Sequence, residues 1–240
     1  MEDSKVCPFS KLKSSNLDLD YSNLDYSNLD CRKKSPCPIL NSLISMGYIN
    51  PRGELTYKDI RSAFRRINVS EAYIFVFFNI IRGIIRRNNK KMTIKCLRTP
   101  NLIEHDISLS REDYNKGKGD HVCFNKKRFD LIFEYFNNQK YISLKELIEY
   151  KFWLFKKSCK ENDNLQFGVK EWLVTIIEMC MIYRLLSTDK GLCLKTLEKV
   201  FANETLDGVK LNSINLLNIS NNFIQSTLFW TQSLIRDNNL

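Results

Sequence analysis

The sequence predicts an all-α fold, a single mostly helical domain. Three observations carry that expectation. Glycine (8) and proline (5) are scarce in 240 residues, so little punctuates the chain. Long stretches rich in Leu, Ile, Lys and Glu dominate, and these residues favour helix. Helix-capping residues stand where apolar stretches begin, at Thr56, Ser70 and Ser143. With 43% hydrophobic residues, a chain of this length buries a sizeable core.

Residues 1–34 read as a flexible low-complexity leader, and residues 35–240 as the folded domain. In the leader, Ser22-Asn23-Leu24-Asp25-Tyr26 runs on into Ser27-Asn28-Leu29-Asp30, a polar five-residue repeat. Next comes Ser35-Pro36-Cys37-Pro38-Ile39-Leu40-Asn41. Pro36 extends Ser35, and Pro38 suits the first helical position. That makes Cys37 the N-cap of a helix to about Met46, stopped by Gly47. A thiol there faces unpaired backbone N–H groups and the positive helix end, which favour thiolate. A buried structural cysteine at a helix start is the other reading of the same residues. Thr56 then caps a helix to about Ile67, and Ser70 one to about Arg87. The second is apolar almost all round and is expected to be central. Residues 88–101 connect.

Glu104-His105-Asp106-Ile107-Ser108 follows. In a helical turn Glu104 and Ser108 would share one face. A carboxylate and a hydroxyl are hard donors suited to Mg²⁺ or a similar cation. His105 would project elsewhere, its ring held by Asp106. Helices are expected at 125–137 and 143–159, the second opened by the capping box Ser143 to Glu146. After a loop at 162–168, a helix carries Trp172 to Tyr183. Within it Glu178 is a carboxylate in an apolar run, expected to have a raised pKa and to serve as a general acid–base. Glu171 is explained by the helix dipole. Further helices are expected at 192–203 and 219–236. Phe75, Phe77, Phe78 and Trp172 are taken as core rather than an access channel.

The net charge of +10 raises the question of nucleic acid. The basic clusters, Arg86 to Lys91 and Lys126 to Arg128, are short and separate, so they read as solvated faces. No zinc-finger spacing or long basic tail accompanies them. Eight cysteines include no CxxC pair, which argues against a zinc ribbon. Met1 to Lys5 show no apolar signal segment, so the expectation is an intracellular, reducing compartment with mostly free thiols. Secretion by another route would bring three Asn-x-Ser/Thr sites into use. The apolar run Ala72 to Phe78 is too short to span a membrane.

Taken in order, these features resemble the heme-thiolate chloroperoxidase and unspecific peroxygenase family. Its hallmarks are Pro-Cys-Pro followed by Leu-Asn, a later Glu-His-Asp-x-Ser, and a distal glutamate. Here Pro36 to Asn41, Ile103 to Asp113 and Glu178 correspond, and Phe201 to Leu206 looks like the family's Phe-x-x-Glu-Arg-Leu. The resemblance implies a helical fold around heme b, with Cys37 as the axial iron ligand. It implies Mg²⁺ or Mn²⁺ held by Glu104, Ser108 and the His105 carbonyl beside a heme propionate. Glu178 would move the proton of hydrogen peroxide, poised by His105 and Asp106, and a small organic substrate or a halide would be oxidised. Met46, Thr205, Asp207 and Val209 stand where the family usually has His, Arg, Pro and Trp, which marks a divergent member of the short, histidine-bearing type. Two other readings are a heme-binding relative without turnover, acting as sensor or scaffold, and a basic helical protein that binds nucleic acid without heme. Retention of Cys37, Glu104, His105, Asp106, Ser108 and Glu178 favours the enzyme.

Overall fold

The computed structural model describes residues 30–87, 91–100, 104–114 and 120–238. Most of the leader and its repeat therefore lie outside the described residues. Its last part, Asp30 to Lys34, is tied to the fold, with a short 3-10 turn over Cys31–Lys33.

The described residues are mostly helical. Pro38–Ser45 forms α1, ended by Met46 and by Gly47 at φ +72°. The amides of Gly47 and Tyr48 bond back to the carbonyls of Ile44 and Leu43, as a left-handed cap requires. Tyr57–Arg66 is α2, opened by a reciprocal capping box between Thr56 and Asp59. Glu71–Arg87 is α3. A single turn at Ile94–Leu97, α4, interrupts the expected connection. Then come α5 (Lys126–Tyr135), α6 (Leu144–Glu161) and α7 (Val169–Leu186). Last are α8 (Leu194–Ala202) and α9 (Leu216–Asn238).

Long helices α6, α7 and α9 pack on one another and form the centre. The expectation that α3 is central is corrected. It pairs with α2, burying Tyr73, Ile74, Phe78, Ile81 and Ile85, while Phe75 is 58% exposed and Ile80 47%. An apolar circumference does not by itself bury a helix that packs mainly along one side.

A small sheet was not expected. Tyr141–Ile142 (β1), Ser187–Thr188 (β2) and Gly191–Cys193 (β3) form an antiparallel ribbon in the order β1-β3-β2. It joins the starts of α6 and α8 to the end of α7. Gly191 sits at φ +108°, and a Cβ there would lie 2.6 Å from the Ile142 carbonyl oxygen.

Two further expectations change. Cys31 and Cys123 form a disulfide, an exception to the expectation of mostly free thiols, while Cys37, Cys159, Cys180 and Cys193 carry free thiols. Arg128, assigned to a solvated basic face, is buried and turned inward, while Lys126 pairs with Asp130 at the surface. Among the described residues no helix is long and apolar enough to cross a membrane.

Candidate active site

The cysteine turn is built from its own neighbours. Cys37 is the N-cap of α1, as expected, and its amide donates to Ser35 Oγ (3.1 Å). Buried Asn41, one turn into α1, holds Ser35 at both ends. Its Oδ1 accepts from the Ser35 amide (3.0 Å) and its Nδ2 donates to the Ser35 carbonyl (2.8 Å). The same Nδ2 donates to Glu204 Oε1 (2.6 Å), and Lys34 Nζ sits 3.0 Å from Glu204 Oε2. The turn is thus bolted to the segment after α8. Burial pushes the Cys37 thiol above its ordinary value. The Leu40 and Ile39 amides and the Arg111 charge pull downward, but together they do not cancel the cost of burial. The expectation of a dipole-favoured thiolate is corrected on that ground, since desolvation outweighs the helix end.

Glu104 to Tyr114 is an irregular loop, not the expected helical turn. Ile107 lies at φ +61°, a rare conformation for a β-branched residue. Several buried groups hold it there. Its amide donates to Asp113 Oδ1 (2.7 Å), and its carbonyl accepts from the buried Lys151 ammonium of α6. Arg128 of α5 donates from Nε to the Ser108 carbonyl (3.1 Å) and from Nη2 to Ser158 Oγ (3.2 Å), and pairs with Asp113 (3.4 Å). Asp106 accepts from the amides of Tyr114 (2.8 Å) and Gln166 (3.0 Å). Its carboxylate therefore does not hold the His105 ring. The Asp106 backbone carbonyl does, 2.7 Å from Nδ1.

Helix α7 brings Glu178 to that ring, with Oε2 3.4 Å from His105 Nε2. Although surrounded by protein, the Glu178 side chain keeps 41% of its surface open, because it faces a cavity. Its pKa is lowered, not raised as expected. Burial pushes it up, but His105, Lys151 and Arg111 together pull it down further. Glu104 behaves oppositely. Burial, with the charges of Glu178 and Asp106 beside it, holds its carboxyl well above the usual range. Burial also brings Lys151 down to about 8. Glu171 is spent on the Gly168 amide at the α7 start (2.9 Å).

The cavity has a volume of about 90 Å³ and is partly open to solvent. Cys37, Glu104, His105, Ser108 and Glu178 all line it, and Asp106 alone among the predicted site residues does not. The rest of the wall comes from Pro36, Pro38, Ile39, Leu109, Arg111, Met179, Met181, Ile182 and Phe201. None of Phe75, Phe77, Phe78 and Trp172 takes part. Three buried polar atoms around the cavity lack a hydrogen-bond partner: Glu104 Oε2, His105 Nε2 and Arg111 Nη2. A buried carboxyl with an orphan oxygen, a guanidinium whose Nη2 has only a 3.7 Å ion pair to Glu204, and a cysteine at a helix tip would suit a carboxylate-bearing metal cofactor.

Arg111, Lys151, Arg128 and Glu204 were not foreseen. Lys151 had a signal, because it stands in the apolar stripe Leu144, Leu147, Ile148, Leu154 of α6. Arg111 sits inside the motif itself, three residues after Ser108.

No curated protein matches the chain. Residues 27–224, well over half of the sequence, match the family model described as Peroxidase, family 2. With that match spanning both the cysteine turn and the glutamate helix, the chain belongs to family 2 of the peroxidases.

Proposed function

We propose that this family 2 peroxidase is a heme-thiolate enzyme that uses hydrogen peroxide to oxidise or oxygenate small organic molecules. The observation that carries the reading is that Cys37, Glu104, His105, Ser108 and Glu178, drawn from three separate segments, line one cavity. Cys37 would be the axial ligand of a heme b. Glu104, Ser108 and the His105 carbonyl would hold Mg²⁺ or Mn²⁺ beside a propionate. When bound, the heme supplies cleavage of the peroxide O–O bond, aided by electron donation from the thiolate.

The remaining work belongs to the protein. Glu178, its carboxyl held low by His105, Lys151 and Arg111, begins as the carboxylate. In that state it accepts the proton of an incoming peroxide, then returns it to the departing oxygen. His105 keeps Nδ1–H on the Asp106 carbonyl and presents Nε2 to Glu178, so the carboxylate stays aimed at one point. Lys151 and Arg128 fix the loop that carries His105. Leu109, Met179, Met181, Ile182 and Phe201 give the cavity an apolar wall, which suits an apolar organic substrate.

The test is the spectrum of the reduced, carbon-monoxide-bound protein purified with heme. Thiolate ligation gives a strongly red-shifted Soret band, and Cys37→Ala abolishes it. Absence of heme uptake overturns the reading. Heme binding without peroxide-driven oxidation of a phenolic dye would favour the relative without turnover.

A further inference from the structure

We propose that Arg111 anchors one propionate of the heme, next to the cation site that takes the other. The inference rests on the heme reading above. Arg111 is 2% exposed, and its side chain is pinned from behind. Nε donates to the Val122 carbonyl (3.0 Å) and Nη1 to Ser110 Oγ. That leaves Nη2, which is buried and has no hydrogen-bond partner, on a residue that lines the cavity.

Nearby carboxylates do not satisfy it. Glu204 Oε1 lies 3.7 Å from Nη2, beyond hydrogen-bond reach, and already accepts from Asn41. Glu204 Oε2 pairs with Lys34, so that carboxylate has a cation of its own. Glu104, on the same loop, also has a buried orphan oxygen, yet no ion pair joins it to Arg111 among the described contacts. The loop thus offers a carboxyl oxygen and a guanidinium nitrogen that each lack a hydrogen bond, the second with only the 3.7 Å ion pair to Glu204. A pair of carboxylates with a divalent cation on one of them completes both. Porphyrin propionates leave the ring from a single edge, so their two holders must be neighbours. Glu104, Ser108 and Arg111 lie within eight residues of one another on one cavity wall. A guanidinium fork is the side chain best suited to a carboxylate.

The experiment follows heme loss from holoprotein to excess apomyoglobin, for the wild type, Arg111→Gln and Arg111→Lys. Each is loaded with hemin or with hemin dimethyl ester, whose carboxylates are masked. With hemin, Arg111→Gln is expected to release about tenfold to a hundredfold faster than wild type, with Arg111→Lys between them. With the ester, that ratio is expected to fall toward one. Equal hemin loss from Arg111→Gln and wild type would overturn the proposal. So would an unchanged ratio with the ester, because Arg111 would then be supporting the fold and not a carboxylate. Should Arg111→Gln not fold, Arg111→Lys carries the same comparison with the charge kept. Failure of the wild type to take up hemin would overturn the heme reading itself, and this proposal with it.

Discussion

Nε2 of His105 stands 3.4 Å from Oε2 of Glu178, while Nδ1 of the same ring is held 2.7 Å from the Asp106 carbonyl. A carbonyl oxygen only accepts, so Nδ1 carries its hydrogen and Nε2 is left to the carboxylate. Under the proposed function, histidine and glutamate would therefore act as a unit. Glu178→Gln is expected to slow peroxide-driven dye oxidation by about 10²–10⁴, with the Soret band unchanged. His105→Ala should slow it too, and the double variant should be little worse than the slower single one. Steady-state rates of the three variants check this. Additive losses would separate the two residues.

Buried Glu104 has an orphan oxygen and a carboxyl held high by desolvation, and under the proposed function it would give the loop a cation dependence. Removing divalent cations with a chelator is expected to lower the melting temperature of the wild type. Cation at a hundredfold excess over Kd adds about 2.7 kcal/mol. Glu104→Ala should show no such response and should carry no stoichiometric metal by elemental analysis. A chelator effect that persists in Glu104→Ala would place the cation elsewhere.

Lys151 donates to the Ile107 carbonyl from a fully buried position, and burial brings its pKa down to about 8. In the unfolded chain a lysine keeps its proton to about pH 10.4. Between those values the unfolded state binds more protons, so this group adds stability as pH rises and costs stability below about 8. Compared with Lys151→Met, the wild type is expected to gain about 3 kcal/mol between pH 8 and 10.5, read from denaturant midpoints. A constant difference across that range would mean that the ammonium is charged in the fold at every pH.

The Cys31–Cys123 bond joins residues 92 apart in sequence. It ties the segment that leads to Cys37 to the residue after Val122, whose carbonyl holds Arg111. Reduction, or the Cys31→Ser/Cys123→Ser double variant, is expected to cost about 4–5 kcal/mol of stability from loop entropy alone. Guanidinium unfolding with and without a dithiol measures it. An unchanged midpoint would mean that the unfolded chain is already compact there.

Much of the site was legible because it depends on local chemistry. Pro36 and Pro38 constrain their own dihedral angles, so Cys37 at a helix start could be read directly. Thr56 and Ser143 announce their helices through side chains three residues away. Glu178 stood out as a charge in an apolar run. What was hidden depends on distant partners. The loop at 104–114 takes its shape from Lys151, Arg128 and Asp113, not from its own propensity, so a helical turn was the wrong expectation. The lowered Glu178 pKa reflects His105, Lys151 and Arg111, three neighbours that spacing does not reveal. Strands of two or three residues are too short to show a period, and β1 meets β3 only across about fifty residues of chain. The disulfide likewise pairs thiols that no local pattern connects.

Met179 and Met181 line the cavity. Thioethers take up oxygen readily and become polar when they do. If the strong oxidant of a peroxidase arises beside them, these two side chains stand exposed to it whenever substrate runs short. The protein would then carry a dosimeter in its own lining, each wasted peroxide leaving an added oxygen on the α7 peptide, and its working life would be counted in uncoupled turnovers.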